Sequence, residues 1–366
     1  MYNLLRVLDT IFIFPFYYKI KTTRTDKKNK TMKKILVTGG LGFIGSHTVV
    51  ELQNAGFDVV IIDNLSNTTI NVLEKITEIT GTKPEYHNID LRIKSDVQAF
   101  FKEHIVDGII HFAAFKAVGE SVDKPLDYYE NNIGTLVYLL QEMRDRQMDN
   151  LIFSSSCTVY GQADELPITE NAPIKPAESP YGNTKQIGEE IINESCNAYG
   201  LNAIALRYFN PIGGHESVKI GELPLGVPQN LIPFITQTAA GIRKELSVFG
   251  DDYPTIDGTA VRDYIHVVDL AKAHIAALQR LINKKNNTNF EYFNIGTGTG
   301  SSVLEVIKAF ENASGKSLNY KIVGRRTGDI TAAYADTSIA NKELKWKTEK
   351  SLDEALDSAW KWQLKQ

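Results

Sequence analysis

Residues 34–47 read KILVTGGLGFIGSH, and this stretch decides the fold. Its first six residues are mostly apolar and β-branched, which predicts a buried strand, and an amphipathic helix follows the last glycine. Between them, Gly39, Gly42 and Gly45 have the spacing G-x-x-G-x-x-G. Glycines there let the backbone turn sharply and approach a pyrophosphate, whose charge the helix N-terminus stabilises. The stretch therefore predicts the phosphate-binding loop of a dinucleotide-binding domain.

The segments that follow repeat this alternation of short apolar runs and helical periodicity. Continuous apolar strands separated by helices indicate a parallel sheet that is covered on both faces. We therefore predict an α/β fold, a Rossmann-like doubly wound parallel sheet with a smaller α/β C-terminal substrate region. The further predicted strands are DVVIID (58–63), EYHNID (85–90), GIIHFAA (108–114), NLIFSSS (150–156) and NAIALRYF (202–209).

The regular alternation stops at about residue 210, where loops rich in glycine and proline begin. We assign residues 32–210 to the dinucleotide-binding domain and expect residues 262–298 to return to it. Residues 211–261 and 299–366 form the predicted substrate-binding domain. Residues 1–31 are first apolar and aromatic, then basic. We expect them to be a leader outside the fold rather than a membrane anchor, since charges interrupt their short apolar run.

The composition excludes several classes of function. The chain has 366 residues and a net charge of −4, so no basic excess favours nucleic acid as a partner. Its two cysteines, Cys157 and Cys196, give no disulfide framework and suit a reducing cytoplasm. The seven histidines form no His/Cys cluster at metal-ligand spacing along the sequence. We therefore expect a cytoplasmic protein with no metal site and no membrane partner.

Asp63 ends the strand that follows the glycine loop and predicts which dinucleotide binds. A carboxylate at this position accepts hydrogen bonds from the adenosine ribose hydroxyls and repels a 2′-phosphate. The predicted cofactor is therefore NAD rather than NADP.

A second stretch, SPYGNTK at 179–185, carries the predicted chemistry. Ser179 is a good N-cap and proline suits the first position of a helix, which would place Tyr181 and Lys185 on one face. An ammonium beside a phenol favours the phenolate and lowers its pKa, which gives a base near neutral pH. Ser156, with Ser155, lies at the end of a predicted strand, where ligands bind to parallel sheets. Ser156, Tyr181 and Lys185 thus form a predicted hydride-transfer set.

Eight motifs together resemble the extended short-chain dehydrogenase/reductase family, and within it the nucleotide-sugar 4-epimerases. They are VTGGLGFIGSH, HFAAFKAVGESV, YYENN, FSSSCTVYG, SPYGNTK, LRYFNPIG, VRDYIHVVDLA and RRTGD, and they span the chain from about residue 33 to its end. The resemblance implies that Ser156 holds the sugar O4, that Tyr181 is the base, and that Lys185 binds the nicotinamide ribose. It also implies a cofactor site lined by Phe43, Ile44, Asp63, Asn64, Asp90, Leu91, Phe112, Ala113, Lys116, Asn131 and Tyr208.

The resemblance further implies a substrate and a reaction. The substrate is a UDP-hexose, and the reaction interconverts UDP-glucose and UDP-galactose through a 4-keto intermediate with bound NAD, a step of galactose metabolism. We also expect a homodimer. Buried diphosphates need planar cationic donors, which favours arginines, although local ion pairs would equally explain Arg262 and Arg326. The implied substrate site comprises Asn210, Asn230, Leu231, Phe249, Arg262, Arg326, Asp329 and Ala333.

Other functions remain open at this stage. Dehydratases of this family carry Asp-Glu directly after the catalytic hydroxyl residue, where this chain has Cys157 and Thr158, so a dehydratase is disfavoured. Epimerases of UDP-glucuronate or of UDP-N-acetylglucosamine are alternatives. A non-catalytic NAD-sensing protein would lack the Tyr/Lys pair that is intact here. His111 and His266 lie in apolar runs and are expected to be core histidines.

Ala333 predicts a broader choice of sugar. It aligns with a bulky tyrosine that, in narrow epimerases of this family, lies near the C2 substituent of the sugar. A methyl group there would leave room for an acetamido group. A shift of one residue would instead place the ring of Tyr334 in the same space.

Overall fold

The computed structural model describes residues 32–326 and 329–366. The predicted leader, residues 1–31, lies outside the described residues. The strands in chain order are β1 (Lys34–Thr38), β2 (Asp58–Ile62), β3 (Glu85–His87), β4 (Gly108–His111), β5 (Asn150–Ser154), β6 (Asn202–Tyr208), β7 (Asn210–Ile212), β8 (Leu246–Phe249), β9 (Val261–Arg262), β10 (Tyr264–His266), β11 (Phe290–Ile295), β12 (Ser301–Ser302), β13 (Tyr320–Val323) and β14 (Ala332–Ala333).

The helices connect and cover these strands. In chain order they are α1 (Phe43–Asn54), α2 (Asn71–Thr80), α3 (Lys94–Glu103), α4 (Val118–Asp123), α5 (Pro125–Tyr129), α6 (Thr135–Arg146), α7 (Pro180–Tyr199), α8 (Leu231–Ala239), α9 (Val267–Ile282), α10 (Val303–Ser314), α11 (Ser338–Glu343) and α12 (Leu352–Gln363). A π-helical segment, Glu130–Gly134, joins α5 to α6, and a 3₁₀ turn, Cys157–Tyr160, follows β5.

Seven strands form the central sheet in the order β11-β6-β5-β4-β1-β2-β3. All its neighbouring strands run parallel. The chain proceeds from β1 towards one edge and from β4 towards the other, so the strand order reverses between these two. Such a switch point opens a crevice at the carboxyl ends of the strands. The predicted doubly wound parallel sheet is confirmed.

The core explains why the sheet strands are continuously apolar. On β1, Ile35 and Val37 belong to the cluster under α1, α2 and α9, while Leu36 belongs to the cluster under α3, α6 and α7. None of the three is exposed. Successive strand side chains point to opposite faces, so a sheet covered on both sides needs apolar residues at every position.

The C-terminal part is built from short strands around a third apolar cluster. β7 pairs with β10, β8 with β13, and β9 with both β12 and β14. The cluster includes Ile235, Phe310 and Trp360, contributed by α8, α10 and α12. Meanwhile α9 packs on the large sheet and β11 extends it beside β6. The division into a cofactor domain and a substrate domain stays a prediction.

The predicted strands are all longer than the paired ones, and two of them by three residues. Within 85–90 only Glu85–His87 forms a strand, because Asp90 accepts the Arg92 amide at 2.9 Å and turns the chain. Similarly, strand structure within 108–114 ends at His111. In the described part of the chain, no helix is long and apolar enough to cross a membrane.

Candidate active site

The glycine loop has the shape that a pyrophosphate requires. Gly39 has a φ of +68°, in the left-handed region that favours glycine, and Gly42 is the residue before the first turn of α1. A Cβ on Gly45 would lie 2.1 Å from the Gly39 carbonyl oxygen, which no side chain tolerates. The first amides of α1 have no partner within the helix, so they are available to phosphate oxygens. The loop fits the dinucleotide expected from the sequence.

Asp63 lies at the rim of this loop and is held by the backbone. Its carboxylate accepts the Leu41 amide at 3.1 Å and the Leu65 amide at 2.9 Å. Only 7% of Asp63 is exposed, and burial raises the pKa of its carboxyl despite these two amides. The carboxylate is therefore fixed beside the loop, where a ribose bound to the phosphates would meet it.

The predicted adenine end contains an ion pair that the sequence reasoning missed. Arg92 Nη2 donates to Asp90 Oδ2 at 2.6 Å, and the Arg92 guanidinium lowers the pKa of Asp90 to about 2. The Asn64 side chain also bonds to Asp90, and Leu91 is buried beside them. The i,i+2 spacing of Asp90 and Arg92 could have signalled the pair.

Ser156 lies where β5 ends, and the local chain fixes its direction. Its hydroxyl oxygen accepts the Thr158 amide at 3.2 Å and caps the 3₁₀ turn. In the same way, the Ser179 hydroxyl accepts the Gly182 amide at 3.2 Å at the start of α7, with Pro180 as its first residue. The helix start predicted from SPYGNTK is confirmed.

Lys185 faces Tyr181 across one turn of α7. Its Nζ lies 5.8 Å from the centre of the Tyr181 ring and donates to the Ser154 carbonyl at 2.7 Å. Burial lowers the pKa of Lys185 to about 8, with the carboxylate of Glu189 opposing the shift. A buried ammonium that is held in place by a backbone carbonyl can bind ribose hydroxyls with its other N–H groups.

The electrostatics of Tyr181 differ from the expectation. Burial raises the pKa of the Tyr181 phenol, nearby Tyr208 adds to the rise, and the hydrogen bond from Ser156 only partly opposes it. The sequence predicted a lowered pKa from Lys185. The structure gives the opposite sign because the phenol is only 8% exposed, and burial disfavours the charged phenolate.

Several predicted cofactor residues lie near the carboxyl ends of the sheet strands. A Cβ on Gly39 would lie 2.9 Å from the Ala113 nitrogen, so the backbone at Phe112 and Ala113 touches the glycine loop. Tyr208 shares a hydrogen bond of 2.6 Å between its hydroxyl and Ser154 Oγ. His111 is buried and bonded to Thr38 at 2.7 Å, which makes it a core histidine as expected. His266 likewise is buried and caps α9.

Asn131 lies in the π-helical segment, a feature with no sequence signal. Its amide donates to Asn132 Oδ1 at 2.9 Å, and Asn132 in turn donates to Thr184 Oγ1 at 3.0 Å. The π-helical segment is thus hydrogen-bonded to α7 at Thr184, the residue before Lys185. Single π turns are frequent at functional sites because they redirect side chains.

A buried polar network lies beside the predicted catalytic residues, and the sequence did not indicate it. Ser155 Oγ donates to Glu189 at 2.5 Å, and Arg207 Nη2 lies 2.6 Å from the other oxygen of Glu189. Arg207 Nη1 donates to the Tyr160 hydroxyl at 3.0 Å, and that hydroxyl donates to Asn294 at 2.7 Å. A satisfied buried network of this kind fixes the positions of its members.

The predicted diphosphate residues meet around one carboxylate. Arg262 Nη2 lies 3.3 Å and Arg326 Nη2 2.9 Å from Asp329 Oδ1. The Arg326 guanidinium also lies 5.6 Å from the centre of the Phe249 ring. Ion pairing therefore occurs, as the alternative interpretation expected, but Arg262 and Asp329 come from separate segments.

Glu222 links the two halves of the predicted site, and the sequence did not indicate it. Its Oε1 lies 3.3 Å from Lys116 Nζ and accepts the Asn230 amide at 2.8 Å. Lys116 is a predicted cofactor residue, whereas Asn230 precedes Leu231 at the start of α8 and is a predicted substrate residue. The remaining substrate residue, Asn210, begins β7 and pairs with Tyr264.

Ala333 lies on β14 with its methyl group buried. It is 2% exposed and belongs to a cluster with Val159, Ile168 and Phe209. The ring of Tyr334 points elsewhere, since it would lie 2.9 Å from a Cβ on Gly300. The ring therefore does not replace the side chain that Ala333 lacks.

Comparison with known proteins agrees with this geometry. A family model described as GDP-mannose 4,6 dehydratase matches residues 36–359. A UDP-glucose 4-epimerase of Mus musculus is 50% identical over 339 residues, 91% of this chain and 97% of that protein. The chain belongs to the UDP-glucose 4-epimerase family.

Solved structures of similar proteins contain the expected cofactor. The UDP-glucose 4-epimerase from Bifidobacterium longum was solved in complex with NAD+ and UDP. It is 47% identical to this chain with a TM-score of 0.87, and the match covers 91% of this chain and 98% of that protein. The enzyme from Stenotrophomonas maltophila, solved with NAD and formylated UDP-arabinopyranose, gives the same values.

The residues after Ser156 distinguish this UDP-glucose 4-epimerase family member from the dehydratases whose name the family model carries. Elimination of water needs an acid/base pair there, and the chain has Cys157 and Thr158. Burial raises the pKa of the Cys157 thiol to about 12, so it exchanges no proton near neutral pH. The site is built for oxidation and reduction at one carbon without elimination.

Proposed function

We propose that the protein interconverts UDP-glucose and UDP-galactose by reversible inversion at C4, with NAD as a bound cofactor. The observation that carries the proposal is the convergence of Ser156, Tyr181 and Lys185 beside a glycine loop shaped for pyrophosphate. Identity of about half over nearly the whole length of a UDP-glucose 4-epimerase supports the same reaction.

Each catalytic residue has a role that its position supports. The Tyr181 hydroxyl exchanges the O4 proton, and Ser156 holds O4 by a hydrogen bond. The Lys185 ammonium binds the nicotinamide ribose, and its positive charge acts to lower the pKa of the phenol. NAD supplies the hydride acceptor and a positive ring when bound. Because burial raises the pKa of Tyr181 in the chain alone, added positive charge is what makes this phenol a base at neutral pH.

Inversion also requires that the sugar turn while the nucleotide stays bound. Arg262 and Arg326 supply charge-assisted donors for the diphosphate, and Phe249 lies beside Arg326. Binding energy placed on the non-reacting nucleotide leaves the hexose free to present either face. We therefore assign the substrate residues from Asn210 to Asp329 to recognition of UDP, and Ala333 to the sugar.

A second substrate pair is favoured by one observation. Ala333 offers only a methyl group near the proposed sugar site, and the Tyr334 ring points towards Gly300. UDP-N-acetylglucosamine and UDP-N-acetylgalactosamine are therefore proposed as additional substrates. UDP-glucuronate has no comparable feature in its favour.

We also propose a homodimer that works in the cytoplasm. Family membership supports the dimer, and two free cysteines, Cys157 and Cys196, suit a reducing compartment. Light scattering on the eluted protein would measure the mass of the assembly, and a monomer mass would exclude the dimer.

The decisive experiment incubates the purified protein with UDP-galactose, UDP-N-acetylgalactosamine and UDP-glucuronate in separate reactions. Formation of UDP-glucose without added NAD supports the proposal, because the cofactor is then carried by the protein. Turnover of UDP-glucuronate alone, or of none of the three, would refute it.

A further inference from the structure

Two histidines and a glutamate lie together at the β3 edge of the central sheet. Three strands separate this edge from β5, which carries Ser154 at its end. Glu85 and His87 belong to β3, the edge strand, and His104 follows the last turn of α3. One ligand atom from each lies within 4.8 Å of the others. Both imidazole Nε2 atoms lie 2.9 Å from the same oxygen, Glu85 Oε1.

The ring of His104 is fixed with Nε2 facing the cluster. Its Nδ1 lies 2.8 Å from the Phe100 carbonyl oxygen, and its ring stacks on the Phe100 ring at 4.3 Å and 3°. A neutral imidazole carries one N–H, so when Nδ1 donates to the Phe100 carbonyl, Nε2 has a lone pair that a metal ion between the ring and the carboxylate would accept. Such an outer hydrogen bond to a carbonyl is how proteins orient a histidine that binds metal.

Glu85 presents one oxygen to the histidines and the other to a lysine. Lys34 Nζ donates to Glu85 Oε2 at 3.2 Å, which leaves Oε1 for the cluster. Carboxylate oxygens and imidazole nitrogens are both ligands that Zn²⁺ binds in proteins.

The spacing of these atoms needs little adjustment to hold an ion. Ligands about 2.0–2.1 Å from a tetrahedral zinc ion lie roughly 3.3 Å from one another. The two contacts of 2.9 Å would therefore widen by about 0.4 Å, within reach of side-chain rotation. The two imidazole nitrogens already lie within 4.8 Å of each other and would settle at the same spacing. Side-chain exposures of 37% for Glu85, 29% for His87 and 16% for His104 leave an entry path and room for a water ligand.

We propose that Glu85, His87 and His104 form a binding site for a divalent transition-metal ion, with Zn²⁺ as the ion that two imidazoles and one carboxylate suit best. Nitrogen ligands disfavour Mg²⁺ and Ca²⁺, which prefer oxygen. The ion would join the exposed edge strand β3 to the end of α3. It takes no part in the chemistry at Tyr181.

The sequence predicts no metal site, because its histidines and cysteines form no cluster at short spacing. Glu85 and His104 are 19 positions apart and come together only through the fold. Their meeting depends on α3 returning the chain to the sheet edge, which no local pattern signals.

Calorimetric titration with Zn²⁺ on NAD-loaded, chelator-treated protein tests the proposal, with Co²⁺ absorption as a second readout. We expect one equivalent of Zn²⁺ to bind and raise the melting temperature, with no response to Mg²⁺. His104→Ala, His87→Gln and Glu85→Gln should each lose at least about tenfold in affinity, since even outer partners of metal ligands are worth that much. Glu103→Gln, a matched change beside His104, should bind as the wild type does.

Co²⁺ should give the visible bands of a tetrahedral site in the wild type and in Glu103→Gln. Binding by His87→Gln and His104→Ala with wild-type affinity would overturn the proposal, as would the absence of stoichiometric binding to the wild type. Epimerase activity is measured on the same samples and should be unchanged by the ligand substitutions, which separates this site from the proposed function.

Discussion

At the scale of single residues, Tyr181 combines burial with a neighbouring ammonium that donates to a backbone carbonyl. Replacement by phenylalanine keeps the ring and removes the proton exchange. We expect Tyr181→Phe to fold and retain NAD but to lose turnover by about 10²–10⁴, the usual contribution of a general base.

The assay is conversion of UDP-galactose, with NAD content measured after denaturation. Tyr199→Phe is the matched control, because Tyr199 ends the same helix and is 52% exposed. Turnover of Tyr181→Phe near that of the control would remove Tyr181 from the mechanism.

Lys185 gives the protein a stability that depends on pH. Its folded pKa of about 8 lies below the ordinary lysine pKa of 10.5, because burial disfavours the ammonium. Between these values the unfolded chain binds more protons, so the free energy of unfolding should rise with pH across this window. Lys185→Met should flatten that rise in the NAD-free protein. Denaturant titrations at several pH values measure it, and equal slopes in the two proteins would contradict the assignment.

Ala333 tests the choice of sugar at the level of one side chain. Ala333→Tyr would place a ring among Val159, Ile168 and Phe209. We expect it to reduce kcat/KM for the N-acetylated sugars relative to UDP-galactose by roughly ten- to 200-fold, or about 1–3 kcal/mol.

Ala332→Tyr is the control for that substitution, since neighbouring residues of a strand point to opposite faces. The prediction fails if the wild type does not turn over N-acetylated sugars, or if both variants discriminate equally.

Sequence reasoning reached the residues whose spacing is local and missed those whose partners are distant. Tyr181 and Lys185 lie one turn apart on α7, so the helical period predicts their shared face, and Ser179 predicts where the helix begins. The Ser154 carbonyl that accepts the Lys185 ammonium is 31 positions away and has no local signal, and the pKa shift of Tyr181 has the opposite sign to the expected one. Burial, which determines that shift, is a property of the folded chain.

At the scale of elements, the turn from β1 into α1 has no space for side chains. Gly45→Ala would bring a methyl group to 2.1 Å from the Gly39 carbonyl, so the loop must move from its pyrophosphate-binding shape. We expect purified Gly45→Ala to contain little NAD and to recover activity only partly with added NAD.

Gly119→Ala on α4 is the matched control, because nothing lies within 4 Å of a Cβ there. NAD is measured in the extract of the denatured protein. Wild-type content in Gly45→Ala would mean that the close approach of Gly39 and Gly45 is not required for the cofactor.

Periodicity predicted the long elements but not the short ones. The strands of the large sheet follow from continuous apolar runs such as Ile35–Val37, buried on both faces. β9, β12 and β14 have two residues each and exist only because they pair with one another. The π-helical segment Glu130–Gly134 is likewise set by its bonds to α7, not by its composition.

At the scale of the whole molecule, the proposed UDP site joins segments that are far apart in sequence. Adjacent arginines provide a test, because Arg326 pairs with Asp329 whereas Arg325 pairs with Asp252 at 2.7 Å and stacks on Tyr253. We expect Arg326→Met to weaken UDP binding and Arg325→Met to leave it unchanged.

Thermal unfolding with increasing UDP measures this difference. A ligand at a hundred times its Kd adds about 2.7 kcal/mol to the free energy of unfolding. Equal stabilisation of the two variants by UDP would exclude Arg326 from the nucleotide site.

The carboxylate of Asp329 between Arg262 and Arg326 has a consequence for how the proposed ligand leaves. Two bare guanidinium groups side by side would repel each other and would hold a departing diphosphate strongly. Here the Asp329 carboxylate is a counter-ion within the chain. When the diphosphate leaves, this carboxylate can pair with both arginines again. The exchange involves the diphosphate and not the hexose, so we expect it to cost the same for UDP-glucose and UDP-galactose.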